Sequence, residues 1–353
     1  MKRYLLLILF AWLFGHGPQS HAQITFNSTY QNSVDNDFNI LVGTNGYAKV
    51  MLSYNPPYTQ YIFQKLDLQG SVLTSKTYGG ATDYFIIYSF INTYDNNYAI
   101  GSYYRDINAQ RTYGYLAKFD SNGDTLWTKI YQAPQGFDLY GAYLIETSDK
   151  GFLITYGDIF ILKTDSLGNF QWMNSFGGIR FEAGYSSVQT PDGGYLTAGW
   201  TRSFGFGNNS NRDDIVVKWD SVGNYQWHKT YGTIYNETAV GIIKLSDGNY
   251  LIGSGRNDFS LNLPYGKILK IDVNGNVIWQ KFQGVGIDCY NWVREMSNTD
   301  LVGITSRRVN GTDDGFIIRT DSSGNEKWRR QYRFGNDHCD FRYVQETPDG
   351  GII

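Results

Sequence analysis

The chain has 353 residues, with 30 basic against 33 acidic side chains and only 18% charged residues. That balance gives no electrostatic reason to expect nucleic acid or an anionic membrane surface as partner. Gly 40, Tyr 29, Phe 21 and Trp 9, against Met 4 and Pro 7, describe short aromatic strands joined by glycine turns.

At the start, Lys2 and Arg3 precede an apolar run from Tyr4 to Phe14, and Ser20-His21-Ala22 offers small residues at both key cleavage positions. This is the layout of a secretory signal peptide over residues 1–22, cleaved after Ala22. The competing reading is a single membrane anchor, but the run is shorter than the ~20 apolar residues a spanning helix needs. No Cys follows the cleavage position, which argues against a lipoprotein anchor. The mature protein is therefore expected outside the cell or on its outer surface, without membrane insertion and as a monomer. Residues 23–38 read as a lead-in segment and residues 39–353 as repeats.

Within the repeats one pattern recurs six times: a basic residue, Asp two on, Gly three further, then usually Trp after four more. It runs Lys65/Asp67/Gly70, Lys118/Asp120/Gly123/Trp127, Lys163/Asp165/Gly168/Trp172, Lys218/Asp220/Gly223/Trp227, Lys270/Asp272/Gly275/Trp279 and Arg319/Asp321/Gly324/Trp328. Successive aspartates lie 53, 45, 55, 52 and 49 residues apart, a period that marks a propeller or solenoid. In the fourth unit Ile215, Val217 and Trp219 alternate with Val216, Lys218 and Asp220, the period of a strand. Asp220 can accept backbone N–H bonds while Gly223 supplies a positive φ, which is the chemistry of a hairpin. Tyr225, Trp227, Lys229 and Tyr231 then share one face of the next strand.

A second turn lies upstream in each period: Asn45-Gly46, Asp95-Asn96-Asn97, Asp149-Lys150-Gly151, Asp192-Gly193-Gly194 and Asp247-Gly248-Asn249. Two hairpins per period make four antiparallel strands, one propeller blade. In the fourth unit these are expected at 186–190, 195–199, 215–220 and 225–231. The fold expected is an all-β propeller of four-stranded antiparallel blades, six complete and a seventh begun by Tyr343 to Ile353.

Departures from the repeat carry information. Thr74 stands where the other units have Trp, as in a capping blade, and the fifth unit exchanges Asp-Gly-Gly for Ser297-Asn298-Thr299-Asp300. A blade lacking two strands cannot bury its faces, so the chain reads as part of a longer protein. The alternative is a ring closed by strands shared between the termini, which the apparently complete first blade from Asn39 to Tyr78 disfavours.

The run Lys-x-Asp-x-x-Gly-Asn-x-x-Trp, followed by Lys-x-Tyr-Gly and Thr-x-Asp-Gly-Gly-Tyr, resembles the secreted β-propeller repeats common in environmental Bacteroidetes. The resemblance covers 39–353 and implies a surface or secreted protein, often continued by a sorting domain for type IX secretion. The Asp-x-x-Gly-x-x-x-Trp core also resembles the tryptophan-docking repeats of quinoprotein dehydrogenases, in which the indole wedges between blades. That resemblance assigns an interblade role to Trp127, Trp172, Trp227, Trp279 and Trp328, and a turn-forming role to Asp67, Asp120, Asp165, Asp220, Asp272 and Asp321.

Catalytic chemistry is harder to find. Beyond residue 22 only His228 and His338 remain, too few for a three-histidine zinc site. There is no Gly-x-Ser-x-Gly elbow and no phosphate-binding loop, and no set of residues unique to one blade offers a quinone cofactor its calcium cage. No cofactor is expected. An acid recurs between successive units, at Asp83, Asp138, Glu182, Glu237, Asp288 and Asp337. These carboxylates either ring one mouth of the central channel, where they could hold calcium, or cap nearby backbone N–H groups. Cys289 and Cys339 sit one repeat apart, and a disulfide between them requires that their Cα atoms approach to about 6 Å near the ring axis.

The function expected is a non-catalytic binding or adhesion module for a glycan or an extracellular protein. Its contacts would lie in the least repeated loops, 103–113, 202–212 and 256–265. The alternative is a quinoprotein-like propeller enzyme acting on sugars or alcohols.

Overall fold

The computed structural model describes residues 38–43, 46–55, 58–79, 84–106, 110–134, 138–206, 211–258, 263–285, 290–309, 312–333, 344–347 and 350–352. Six four-stranded antiparallel sheets, each paired in sequence order, form the blades of a propeller. Blade one comprises Phe38–Gly43, Gly46–Asn55, Tyr58–Leu66 and Val72–Tyr78; blade two Phe85–Asn92, Tyr98–Asp106, Arg111–Phe119 and Thr125–Tyr131. Blade three comprises Tyr143–Glu146, Phe152–Tyr156, Phe160–Thr164 and Phe170–Ser175; blade four Glu182–Gln189, Tyr195–Thr201, Asp213–Trp219 and Tyr225–Tyr231. Blade five comprises Asn236–Lys244, Tyr250–Asp258, Leu263–Ile271 and Val277–Val285; blade six Tyr290–Glu295, Leu301–Val309, Thr312–Thr320 and Glu326–Tyr332. First strands of successive blades touch one another, so they line the axis and the fourth strands form the rim.

The middle strands explain the composition. Tyr195–Thr201 and Asp213–Trp219 are buried along their whole length, because a neighbouring blade covers each face, whereas Tyr225–Tyr231 is half exposed. The apolar clusters accordingly straddle blades. Leu116 and Tyr131 of blade two pack with Leu144, Phe152 and Ile154 of blade three, and Ile161 of blade three packs with Ile215, Val217 and Trp219 of blade four.

In the fourth unit the second, third and fourth strands lie where the alternation predicts, within two residues. The first strand begins at Glu182, four residues before the expected 186, because a bulge at Tyr185 shifts the register between Gly184 and Ser186 and hides the alternation. Two of the three expected loops are mostly strand. Residues 98–106 pair with 111–119 as far as Asp106↔Arg111, and 250–258 pair with 263–271 as far as Asp258↔Leu263. The Ser297-Asn298-Thr299-Asp300 turn belongs to blade six and not to the fifth.

After blade six, residues 344–347 and 350–352 lie between blades six and one. Val344 is buried against Met296, Val302 and Ile304, Glu346 bridges to Ile352, and the Val42 N–H donates to Gln345 Oε1 at 2.9 Å.

Candidate functional site

Antiparallel order places the turns joining strands one to two and three to four at one edge of every blade. The connections between strands two and three, and between blades, lie at the other. The molecule therefore has a turn face and a loop face, and their chemistry differs.

On the turn face the six motif aspartates perform one task. Asp67, Asp120, Asp165, Asp220, Asp272 and Asp321 each accept the backbone N–H groups two and four residues on, for instance Val222 at 2.9 Å and Asn224 at 2.8 Å for Asp220. The glycine of each turn takes a positive φ, +84° at Gly223, and one bulge at the end of strand three accompanies it.

Each turn then docks on the preceding blade. A Cβ on Gly168, Gly223, Gly275 or Gly324 would lie 2.6–2.9 Å from Trp127, Trp172, Trp227 or Trp279 respectively, so the half-buried indole lies flush on the glycine. A side chain four residues past the Trp position caps the same glycine carbonyl: Tyr131 to Gly168 at 2.7 Å, Tyr231 to Gly275 at 2.8 Å and Gln283 to Gly324 at 3.0 Å. In blade three Asn174, two residues past Trp172, donates to Gly223 at 2.9 Å. In blade one Phe63 covers Gly123 in place of the missing indole, and Tyr78 donates to the Gly123 carbonyl, which resolves the departure at Thr74. Trp328 is half-buried beneath the Arg330 guanidinium, 5.1 Å from the ring centroid.

The basic residue of the motif has a partner that the sequence reading missed. Lys118, Lys163, Lys218 and Lys270 reach the Asp of the other turn in their own blade, Asp95, Asp149, Asp192 and Asp247, at 2.7, 2.8, 2.9 and 2.6 Å. In blade six Thr299 takes the positive φ, and Asp300 receives Arg319 at 2.7 Å and Lys327 at 2.6 Å. Burial pushes Asp192 up, but hydrogen bonds from Thr190 and Lys218 outweigh it and hold the carboxyl at about 2. The signal was available in the sequence, since the Lys and the turn Asp recur together.

The loop face carries polar and aromatic groups from several blades. Tyr88, Tyr143 and Tyr185, all on first strands, form a chain with ring centroids 5.8 and 5.7 Å apart. Tyr103 packs on Tyr88 at 6.0 Å and on Tyr140 at 5.7 Å. At the other end Trp200 Nε1 donates to the Tyr185 hydroxyl at 3.4 Å, and the Arg212 guanidinium lies 4.4 Å from the Trp200 ring centroid. The result is an aromatic arc spanning blades two to four. Beside it the connections into and within blades four and five expose Ile179, Phe181, Phe206 and Ile234, with Ile179 98% exposed.

The recurring acids lie on this face. Asp138 accepts the Thr112 N–H at 3.0 Å and the Tyr140 hydroxyl at 3.2 Å. Glu182 accepts the Thr201 hydroxyl at 3.0 Å and the N–H groups of Ser203 and Gly178 at 3.2 Å. Glu237 accepts the Thr233 hydroxyl at 2.6 Å and its N–H at 3.3 Å. All three cap connections, as the backbone-capping alternative describes. Asp83, Asp288, Asp337, His338, Cys289 and Cys339 lie outside the described residues. Among the described residues no group of three His, Cys, Asp or Glu could hold a metal ion. His228 packs on Phe176 and Phe204 and meets the Tyr225 hydroxyl at 2.9 Å.

Blades four and five also share a buried ionic cluster without a sequence signal. Lys267 Nζ meets Asp214 Oδ2 at 2.6 Å, and Ser254 donates to the same carboxylate at 2.8 Å. Asp213 and Glu237 are buried beside them. Desolvation pushes Glu237 up to about 7, against the hydrogen bond from Thr233 and the Lys267 charge, and it also raises Asp213 and Asp214.

No family model and no curated protein matches this chain. Solved structures do. A protein of unknown function from Bacteroides caccae aligns at TM-score 0.50 with 13% identity, over 81% of this chain and 96% of that one. A chain from the structure of BBS1N in complex with ARL6DN aligns at TM-score 0.50 with 9% identity, over 86% of each chain. At such identities the likeness shows the fold alone. No helix among the described residues is long and apolar enough to cross a membrane.

Proposed function

We propose that this protein is a non-catalytic binding module, secreted or displayed on the outer surface, that holds a glycan or an extracellular protein on its loop face. The observation that carries the reading is the aromatic arc of half-buried Tyr88, Tyr143 and Tyr185, flanked by the buried Tyr103 and Trp200. Aromatic faces offer apolar contact area to sugar rings and to protein side chains, and the hydroxyls and Arg212 beside them supply directional hydrogen bonds. The exposed Ile179, Phe181, Phe206 and Ile234 extend this surface outward. BBS1N was solved in complex with ARL6DN, so a propeller of this shape is compatible with a protein partner. Compartment rests on the apolar run before Ala22, and the start of a seventh unit on the Asp-Gly-Gly turn at residues 349–351.

The test is a microarray of bacterial and plant polysaccharide fragments probed with the wild-type chain and with Tyr140→Ala and Tyr185→Ala variants. Saturable binding that both variants weaken while they remain folded at the assay temperature is the expected result for a glycan. Binding that neither variant changes removes the arc as the site.

A further inference from the structure

We propose that Lys267 and Asp214 condense into an isopeptide bond that joins blade five to blade four covalently, with Glu237 carrying the proton. The bond serves the ring and is independent of any ligand on the loop face. Amine and carboxyl are already in contact: Lys267 Nζ stands 2.6 Å from Asp214 Oδ2, and the two side chains are 3% and 1% exposed. In the four Lys–Asp turn pairs the carboxylate side chain is instead between 47% and 57% exposed, and water keeps it ionised.

The pair is also an exception among the blades. With the blades aligned on the basic residue of each turn motif, Lys267 stands where the other third strands carry Ile62, Tyr115, Phe160, Ile215 and Phe316. Asp214 stands where the other blades carry Tyr61, Gly114, Ile159, Gly266 and Gly315. The junctions between blades two and three and between blades three and four are packed by apolar side chains, so closing a blade on its neighbour does not require such a pair. Two charges taken out of water cost more than an apolar pair of similar volume, and a covalent bond that removes both charges relieves that cost.

The surroundings supply the remaining chemistry. Ser254 Oγ lies 2.8 Å from both oxygens of Asp214 and donates to them, and the Ala239 N–H donates to the same carboxylate. Lys267 Nζ also donates to the Tyr231 carbonyl at 2.9 Å, which holds the amine in place. Glu237 is 1% exposed on the first strand of blade five, where the charges of both Lys267 and Asp214 act on it. The buried Asp213 shares a hydrogen bond with it. Burial raises Asp214 and pushes Glu237 up to about 7, so both carboxyls retain a proton more readily than an exposed acid.

In this dry junction one proton moves from the Lys267 ammonium to the Asp214 carboxylate, which leaves a neutral amine against a neutral acid. The nitrogen lone pair attacks Cγ of Asp214, and Ser254 and Ala239 donate to the oxygen on which negative charge develops. Glu237 gives its proton to the departing hydroxyl and takes one from the nitrogen, so it ends as it began. The C–N bond forms, the C–O bond breaks and one water leaves; no oxidant or co-reactant is consumed. Holding the two groups in contact supplies the effective concentration that the same condensation lacks in water.

Intact mass spectrometry of the purified full chain, denatured after folding, tests the proposal, and tryptic mapping places the change. The wild-type protein is expected to be lighter by one water than the mass of its own chain. Residues 213–218 and 257–270 are expected as one branched peptide, uncut after Lys267. Glu237→Gln should form the bond on the order of a hundredfold more slowly, and Lys267→Arg should keep its water. A folded wild-type chain that retains its full mass after prolonged incubation, and releases 213–218 as a linear peptide, overturns the proposal. So does a lost water that maps elsewhere, such as a succinimide at Asp192-Gly193 or Asp247-Gly248. A branched peptide that forms equally fast in Glu237→Gln overturns the role given to Glu237.

Discussion

The two faces of this propeller obey different rules. On the turn face the same contacts recur: the carboxylate-capped turn in all six blades, and the glycine lying under an aromatic ring and a Lys–Asp or Arg–Asp pair between hairpins in blades two to six. On the loop face each connection is different, and neighbouring connections supply different chemistry. The contrast separates contacts that serve the ring from contacts that do not. A contact repeated at every junction serves the ring, while an arrangement confined to blades two to four, such as the aromatic arc, has no counterpart that ring closure demands.

Breaking the ring should cost most where charge is buried. Lys267→Met removes the cation facing Asp214, and a buried carboxylate left uncompensated typically costs about 3 to 5 kcal/mol. Chemical denaturation should show that loss, and an Asp214→Asn, Lys267→Met double variant should recover part of it. Next in size, Trp172→Ala should cost roughly 3 kcal/mol, the low end for a large aromatic truncation because the indole is half-buried. Gly223→Ala follows at about 1 to 3 kcal/mol, since its φ of +84° is strained for Ala and the Cβ would lie 2.6 Å from Trp172. A thermal melt of each variant provides the measurement.

A subtler effect separates the faces by pH. Glu237 on the loop side binds its proton more tightly folded, at about 7, than an unfolded Glu does at roughly 4.3. The native state therefore holds the extra proton between those values, and stability falls as pH rises from about 4 to 7. Glu237→Gln should flatten that slope in urea titrations at pH 5 and 7.5. Asp95 and Asp192 on the turn side act oppositely. Burial raises both, but their Lys and Thr partners hold each at about 2, so their contribution is present above about 4 and lost as pH falls toward 2. The Glu237→Gln variant should keep that acid limb unchanged.

How much of this was legible in the sequence follows the same division. The motif aspartates, glycines and tryptophans repeat locally, so their spacing exposed the blade, the turn and the docking indole. The Lys118–Asp95 type of pair was missed although both residues were seen, because its partners sit in different hairpins and only register brings them together. Phe63 could not be found by looking at position 74, since it approaches Gly123 from the neighbouring strand. The arc was invisible for a stronger reason. Tyr88, Tyr143 and Tyr185 are roughly one repeat apart and meet only because first strands converge at the axis. The strand segments within 103–113 and 256–265 were mistaken for loops because half-buried polar pairs such as Asp106↔Arg111 carry no apolar alternation.

The smallest stability effects belong to exposed side chains of the loop face, where Tyr140→Ala and Phe206→Ser should change stability by less than about 0.5 kcal/mol. The central claim is that the turn face holds the ring and the loop face holds the ligand. It is tested most directly by measuring melting temperature and polysaccharide-array binding together for Tyr140→Ala, Tyr185→Ala, Trp172→Ala and Gly223→Ala. The account predicts that the first two lose binding while still folded at the assay temperature, while the last two melt earlier and still bind below their transition. Binding that survives both tyrosine substitutions, yet disappears in the turn-face variants while they remain folded, would contradict it.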